Sequence, residues 1–193
     1  MRYVTLARHG RTALNTEGRL RGLADPPLDD EGREEAARLA GDLAGWNPLL
    51  VLCSPLHRAR DTAWAIAGRG GAELRTDKHF NDRDYGAWTG EVKAEVVARF
   101  GSVDAAPGVE SLDTVLERAR RGLARVVSGR PERVVVVTHD AVIRAVLAWI
   151  DPAVEAAASV PTASWCRLAY DDRADAWRVD LVDQKPTSSW SAS

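Results

Sequence analysis

The chain has little cysteine, little histidine and no long apolar segment in its 193 residues. Its two cysteines, Cys53 and Cys166, are too few for a disulfide-stapled scaffold, and neither lies in a Cys-x-x-Cys metal spacing. We therefore expect two buried thiols in a reducing compartment. The N-terminus lacks the apolar core of a signal peptide, and no apolar run could span a bilayer, so we expect a cytoplasmic protein with no membrane partner.

Neither sign of charge dominates the chain. The 26 Lys and Arg residues and the 28 Asp and Glu residues give a formal net charge of -2 at pH 7. This balance excludes a molecule-wide field that would attract nucleic acid, so any anion-binding site must be local. The length and the 45% hydrophobic content indicate one globular domain, which we place at residues 1–184. We expect a flexible C-terminal tail over residues 185–193, and either a monomer or a homodimer.

Apolar periodicity predicts helices that alternate with strands. The predicted strands are short apolar runs at residues 3–7, 49–53, 73–76, 133–138, 165–170 and 177–182. The predicted helices lie at residues 31–43, 55–67, 91–100, 111–127 and 141–150. This alternation predicts an α/β fold with a mostly parallel sheet.

Histidines follow two of the predicted strands at the point where each strand ends. One strand runs into Arg8-His9-Gly10, and another runs into His139-Asp140. Ligands of open α/β sheets bind beyond the carboxyl ends of the strands. A single histidine at a strand end is more often structural than catalytic, but two of them favour an active site.

Two arginines are expected at the same edge of the sheet. Arg8 adjoins His9, and Arg58 lies in the first turn of the helix that follows a third strand. A guanidinium fork matches phosphate or carboxylate geometry, although a lone surface arginine commonly pairs with a neighbouring carboxylate. Two arginines and two histidines together predict a pocket for a phosphate-like anion. The four histidines include no His-x-x-x-His pair and leave a third ligand unnamed, so we predict no metal site.

Four segments in order resemble a known family. They are Leu6-Ala7-Arg8-His9-Gly10-Arg11-Thr12-Ala13-Leu14-Asn15, Cys53-Ser54-Pro55-Leu56-His57-Arg58-Ala59-Arg60-Asp61-Thr62-Ala63, residues 80–90, and Val137-Thr138-His139-Asp140-Ala141-Val142-Ile143-Arg144. The first is similar to the Arg-His-Gly-x-Thr-x-x-Asn signature of the histidine phosphatase superfamily, the phosphoglycerate-mutase-like clan. Arg-His-Gly alone would be a weak match. Four segments in the same order between residues 6 and 144 are a much more specific match than chance would give.

The resemblance implies a fold and a reaction. The fold would be a three-layer α/β/α sandwich with a mostly parallel central sheet, as in phosphoglycerate mutases. His9 would attack phosphorus and form a phosphohistidine, which water then hydrolyses. Arg8, Arg58 and His139 would surround the transferred phosphoryl group and stabilise its developing charge. No cofactor is required, and the partner would be a small phosphorylated substrate.

The same resemblance implies further binding residues. Asn15 and the backbone at Gly10 would add hydrogen-bond donors to the phosphate. Arg21 is also a candidate for binding the rest of an anionic substrate, although a single arginine of this kind is more often exposed to solvent.

The sequence departs from the family pattern at the proton donor. The third segment usually carries Glu as the general acid, and here that position is Asp82, which is one methylene shorter. Misplacement of a catalytic group by about 1 Å can cost on the order of a hundredfold in rate. The residue after the second histidine, Asp140, is the alternative donor, because a distant branch of the superfamily uses a His-Asp pair. We favour Asp82, since the residues around it keep the mutase-like register.

Three functions remain open from the sequence. The first is a phosphatase that acts through phospho-His9. The second is phosphoglycerate-mutase-type phosphotransfer, ranked lower because the chain lacks a longer middle insertion. The third is a catalytically weak member that binds a phosphorylated ligand. The natural substrate cannot be read from the residues.

Overall fold

The computed structural model describes residues 1–129 and 131–186 and places six strands in one sheet. The strands are β1 (Arg2–Arg8), β2 (Leu50–Cys53), β3 (Glu73–Thr76), β4 (Arg133–Thr138), β5 (Trp165–Asp171) and β6 (Ala176–Gln184). Their order is β3-β2-β4-β1-β5-β6, in which β1 to β4 are parallel and β5 and β6 pair antiparallel at one edge. The predicted mostly parallel sheet is confirmed. Residues 187–193 of the predicted tail lie outside the described residues.

Helices cover both faces of this sheet. They are α1 (Ala13–Thr16), α2 (Asp30–Ala44), α3 (His57–Gly70), α4 (Lys93–Phe100), α5 (Leu112–Ser128), α6 (Asp140–Ile150) and α7 (Pro152–Ala157). The four valines of β4 explain the layering, because successive side chains point to opposite faces of a strand. Val135 and Val137 pack with α2 and α3, whereas Val134 and Val136 pack with α5 and α6. The three-layer α/β/α sandwich is therefore confirmed.

Local capping explains where several helices begin. The Asp29 side chain accepts a hydrogen bond from the Gly32 N–H at the start of α2, at 2.7 Å. Helix α3 begins at His57 rather than at the predicted residue 55, because the backbone of Leu56 is extended. Its His57 N–H is capped from a distant loop, by Asp25 Oδ1 at 2.7 Å. Sequence periodicity could not have shown that contact.

A third, smaller core lies apart from the two faces of the sheet. It consists of Leu20, Val96 and Ala106, with Trp88 and Phe100 packed against them. Backbone hydrogen bonds between residues 18–20 and residues 90–93 join this cluster to the loop after α1. We call residues 83–110 the cap segment, because they form one wall of the cleft described below.

Both cysteines are buried, as predicted. Burial raises the pKa of Cys53 to about 11 and that of Cys166 to about 12, so both thiols stay protonated at neutral pH. Within residues 1–129 and 131–186, no helix combines the length and the apolar character that crossing a bilayer requires.

Candidate active site

Two buried histidines meet where neighbouring parallel strands end. Arg8 at the end of β1 lies opposite Thr138 at the end of β4, and the His9 N–H donates to Thr138 O at 3.1 Å. The chain therefore leaves the sheet at His9 and His139 side by side, and the ring centroids are 5.1 Å apart. Both rings are fully buried. The register of the sheet thus brings together two imidazoles that are far apart in sequence.

His9 carries its proton on Nδ1 and keeps a lone pair on Nε2. Nδ1 lies 2.6 Å from Gly10 O, and it must be the donor because a carbonyl oxygen only accepts. Burial, followed by the positive charges of His139, Arg58 and Arg8, lowers the pKa of His9 well below 6.5. The neutral ring is therefore favoured, and its Nε2 accepts a hydrogen bond from Arg58 Nε at 3.3 Å.

Arg58 is a fully buried cation in the first turn of α3, beside His9. Its Nη1 donates to Ala24 O at 2.7 Å, and its Nη2 donates to Gly22 O at 2.8 Å and to Asp82 Oδ2 at 2.9 Å. These contacts fix the guanidinium plane between the nucleophile candidate and the carboxylate. A lysine could not reproduce this set of directions, because its ammonium lacks the planar fork.

Asp82 lies between Arg58 and His139. Its Oδ2 accepts from Arg58 and is 3.6 Å from His139 Nδ1, while its Oδ1 accepts from the Arg83 N–H at 2.9 Å. The carboxyl group is buried. The shorter aspartate side chain therefore reaches the centre of the site, as the sequence interpretation required of it.

Several buried polar atoms in this pocket lack a hydrogen-bond partner among the described residues. Among the described residues, six buried side-chain nitrogen or oxygen atoms lack a hydrogen bond, and they include Arg8 Nε, Arg21 Nε and both ring nitrogens of His139. Burial, followed by the charges of Arg58, Arg21, Arg8 and Arg118, lowers the pKa of His139 well below 6.5. Unpaired donors and mutually repelling cations both fit a ligand that is an anion and accepts hydrogen bonds.

A cleft of about 920 Å³ reaches Arg8 and Arg21 of this site. Its lining includes Arg8, Asn15, Arg21 and Asp140. The Asn15 Oδ1 accepts from the backbone and the hydroxyl of Thr12, at 3.0 and 2.8 Å. Asn15 and Arg21 thus both line the cleft, and their binding roles remain predictions.

Asp140 lies on the wall of the cleft rather than between the two imidazoles. It is the first residue of α6 and is partly exposed. Its Oδ1 lies 3.2 Å from Arg144 Nε and 3.7 Å from Arg8 Nη1. Asp82 is thus nearer the reacting groups, and Asp140 is nearer the substrate entrance.

Gly10 contributes its carbonyl to the site, whereas its predicted contribution is an N–H donor. The Gly10 N–H donates to Thr62 Oγ1 at 3.1 Å and is therefore occupied. A Cβ at Gly10 would lie 2.4 Å from Gly32 O, so a glycine is required for the loop to approach α2 this closely. A direct contact between Gly10 and phosphate remains a prediction.

Arg118 is a site residue that the sequence interpretation missed. From α5 it donates to three carbonyl oxygens of the segment that carries Asp82: His79 O at 3.1 Å, Asn81 O at 2.6 Å and Asp82 O at 2.9 Å. Glu110 accepts two further hydrogen bonds from the same guanidinium, at 3.0 and 3.2 Å. One side chain thus fixes the backbone that positions the proposed acid.

A second missed contact fixes Arg8. Arg8 Nη1 donates to Val160 O at 2.6 Å, and Val160 has a φ of 47°, which is rare for a β-branched residue. Asp183 holds this backbone by accepting from the Ser159 and Val160 N–H groups, at 2.6 and 2.9 Å. No sequence motif marked Asp183, because both of its contacts are to backbone N–H groups.

The fold and the site together define a class of protein, the phosphoryl-transfer enzymes that use a histidine nucleophile. A neutral imidazole with an unprotonated Nε2 lies at the carboxyl edge of a parallel sheet, among guanidinium groups that fit a phosphoryl dianion. A family model described as the histidine phosphatase superfamily (branch 1) matches residues 4–184. The chain belongs to this family, and the predicted family and its phosphomonoester hydrolase class are confirmed.

Relatives of this chain include phosphatases and a mutase-like protein. It is 31% identical to a glucosyl-3-phosphoglycerate phosphatase of Mycolicibacterium vanbaalenii, over all of this chain and 96% of the relative. It is 36% identical to the phosphoglycerate mutase-like protein 4 of Arabidopsis thaliana, over 73% of this chain and 67% of the relative. A solved mycobacterial glucosyl-3-phosphoglycerate phosphatase with VO3 matches with a TM-score of 0.84 and 30% identity, covering 95% of this chain and 99% of that one.

Proposed function

We propose that the chain hydrolyses a small phosphomonoester through a phosphohistidine on His9, without a cofactor. The observation that carries this proposal is the neutral, buried His9, whose unprotonated Nε2 is contacted by Arg58 Nε at 3.3 Å. Among the described residues, the buried Arg8 Nε and both ring nitrogens of His139 have no partner. A nucleophile of this kind needs an unprotonated lone pair and a target held by cations. In this site His9 supplies the lone pair, and Arg8 and Arg58 beside it supply the cations.

The first step transfers the phosphoryl group to the protein. His9 Nε2 forms a bond to phosphorus while the bond from phosphorus to the ester oxygen breaks. Arg8, Arg58 and His139 stabilise the charge that develops on the three phosphoryl oxygens. Asp82, in its protonated form, gives its proton to the leaving oxygen, so an alcohol departs and a carboxylate remains.

The second step returns the enzyme to its starting state. A water molecule attacks phosphorus, the bond between phosphorus and Nε2 breaks, and the Asp82 carboxylate takes the proton from water. The products are inorganic phosphate and free His9. If an alcohol replaced water as acceptor, the same chemistry would become phosphotransfer, which is the mutase alternative.

The test compares phosphate release from 4-nitrophenyl phosphate by three proteins. We expect turnover by the wild type, a loss of at least about a thousandfold in His9→Ala, and near-wild-type turnover in His57→Ala. His57 is a suitable control because it is exposed and bonds to Asp25 outside the pocket. Acid-labile phosphate trapped on a peptide that contains His9 would identify the intermediate.

Two other outcomes would replace the proposal. Equal turnover by wild type and His9→Ala would remove His9 as the nucleophile. Isomerisation of 3-phosphoglycerate without net phosphate release would establish the mutase alternative.

A further inference from the structure

The cleft is much larger than a phosphoryl group, and most of its charged lining is already paired. At about 920 Å³ it lies in the range of pockets that hold whole organic ligands. Arg83 pairs with Asp104 at 2.5 Å, and Arg144 pairs with Glu155 at 3.1 Å. Arg144 also bonds to Asp140. The charges of these paired side chains neutralise one another within the protein, so they do not require a charged ligand.

The buried guanidinium nitrogens of the lining that lack a partner among the described residues lie at the end of the cleft beside the histidines. Arg8 and Arg21 are the lining residues whose buried Nε atoms have no partner among the described residues. Two further charged lining residues without an ion partner in the described ranges, Lys93 and Asp113, are exposed to solvent and opposite in sign. Beyond the phosphate end, none of the described lining residues has a buried side-chain polar atom without a partner.

Apolar side chains line both walls of the same outer region. Val97 of the cap segment is 37% exposed, and Leu112 in the first turn of α5 is 42% exposed. Leu116, Ala145 and Trp149 continue this surface on α5 and α6. Large apolar side chains left open to solvent in a cleft mark a binding surface for an apolar group.

We propose that the outer cleft, lined by Val97, Leu112, Leu116, Ala145 and Trp149, binds an apolar alcohol portion of the substrate. The substrate class would be phosphomonoesters whose leaving alcohol carries an alkyl or aryl group, with the phosphate at Arg8 and Arg21. This inference rests on the proposed phosphatase function. An apolar alcohol is the occupant because Arg8 and Arg21, whose charges act on the buried His139, also line this cleft.

A series of n-alkyl phosphates tests the inference. From butyl to octyl phosphate the leaving-group basicity is nearly constant, so changes in kcat/KM report binding of the chain. Each methylene buried in an apolar site is worth up to about a fourfold change. We expect kcat/KM to rise by at least about tenfold from butyl to octyl phosphate, and octyl phosphate to exceed glucose 6-phosphate and 3-phosphoglycerate.

A matched pair of variants locates the effect. Leu112→Gln should reduce the butyl-to-octyl increase by about threefold or more, measured as the ratio of the two kcat/KM values within that variant. Leu181→Gln is the control, because Leu181 has a similar exposure, 37%, but lies on β6 outside the cleft lining. Ethyl phosphate turnover also verifies that each variant is folded.

The outcomes separate this inference from the function on which it rests. Turnover of all esters with no rise along the series, a preference for the polar esters, or an unchanged rise in Leu112→Gln would overturn the apolar subsite alone. Absence of turnover with every ester, short ones included, would overturn the proposed function and this inference with it.

Discussion

At the scale of the residue, the chemistry depends on which nitrogen of His9 carries the proton. The Gly10 carbonyl fixes it on Nδ1, and burial among cations keeps the ring neutral. The strand-end position of His9 can be read from the sequence, but its tautomer cannot, because that depends on the backbone geometry of the next residue. The same holds for Asp82, whose contacts to Arg58 and His139 exist only in the folded chain.

The identity of the proton donor gives a prediction at this scale. A general acid matters most when the leaving oxygen is basic, and it contributes about 10²–10⁴ in rate. Asp82→Asn should therefore lower turnover of ethyl phosphate by about a hundredfold or more, and that of 4-nitrophenyl phosphate by much less. Asp140→Asn should stay within a few-fold for both esters. Steady-state rates of phosphate release measure this difference.

The opposite pattern has a clear meaning. Suppose that Asp140→Asn loses turnover in a leaving-group-dependent way and Asp82→Asn stays near the wild type. Asp140, on the wall of the cleft, would then be the proton donor. The Arg58 contact that Asp82 makes would then serve only to hold the guanidinium in place.

At the scale of elements, helix α5 positions the loop that carries Asp82. Removal of Arg118 takes away three hydrogen bonds to the backbone of residues 79–82. We expect Arg118→Ala to lower kcat for ethyl phosphate by about ten- to a hundredfold, since small displacements of catalytic groups are costly. The loss should be smaller for 4-nitrophenyl phosphate, because Arg118 acts through the acid.

The control for Arg118 lies on the same helix. Arg121 is exposed and pairs with Glu117, so Arg121→Ala should match the wild type. If Arg118→Ala lowered the two esters equally, or only lowered the melting temperature, Arg118 would be a stabilising residue rather than a positioning one.

The loop before β5 positions Arg8 in a comparable way. Burial raises the pKa of Asp183, but hydrogen bonds from the Ser159 and Val160 N–H groups outweigh it and lower that pKa. A residue held at a strained φ costs about 1–3 kcal/mol and persists only where its surroundings hold it. Asp183→Ala should release Val160 and raise KM for 4-nitrophenyl phosphate by about three- to tenfold, because Arg8 loses its anchor.

Asp180→Ala provides the comparison for that experiment. Asp180 lies on the same strand and pairs with Arg178 away from the site, so its KM should equal that of the wild type. An unchanged KM in Asp183→Ala would show that Arg8 keeps its position without this contact.

The elements also show how far sequence reasoning extends. The strands that end in Arg8 and Thr138 could be predicted, because alternation and β-branched runs are local signals. Arg118 could not, since its acceptors lie 36 to 39 residues away and are backbone carbonyls, which any residue provides. Asp183 could not be predicted for the same reason, because its partners are the backbone N–H groups of residues 23 and 24 positions away.

At the scale of the whole molecule, burying two neutral histidines makes stability depend on pH. Both His9 and His139 have folded-state pKa values well below the 6.5 of an exposed histidine. Above pH 6.5 neither state of the chain protonates them, so their contribution to stability is complete. As pH falls below 6.5, the two histidines become protonated in the unfolded chain but not in the folded chain. The free energy of unfolding therefore decreases.

Urea unfolding between pH 7.5 and pH 5.5 measures this loss. Each histidine contributes a slope of up to about 1.4 kcal/mol per pH unit, so the midpoint should fall steadily below pH 6.5 in the wild type. His139→Gln removes one of the two groups and should give a shallower fall, whereas His57→Gln, an exposed position, should keep the wild-type slope. A slope in His139→Gln equal to that of the wild type would mean that His139 does not stay neutral in the folded chain, and the four arginines around it would then face a fifth cation.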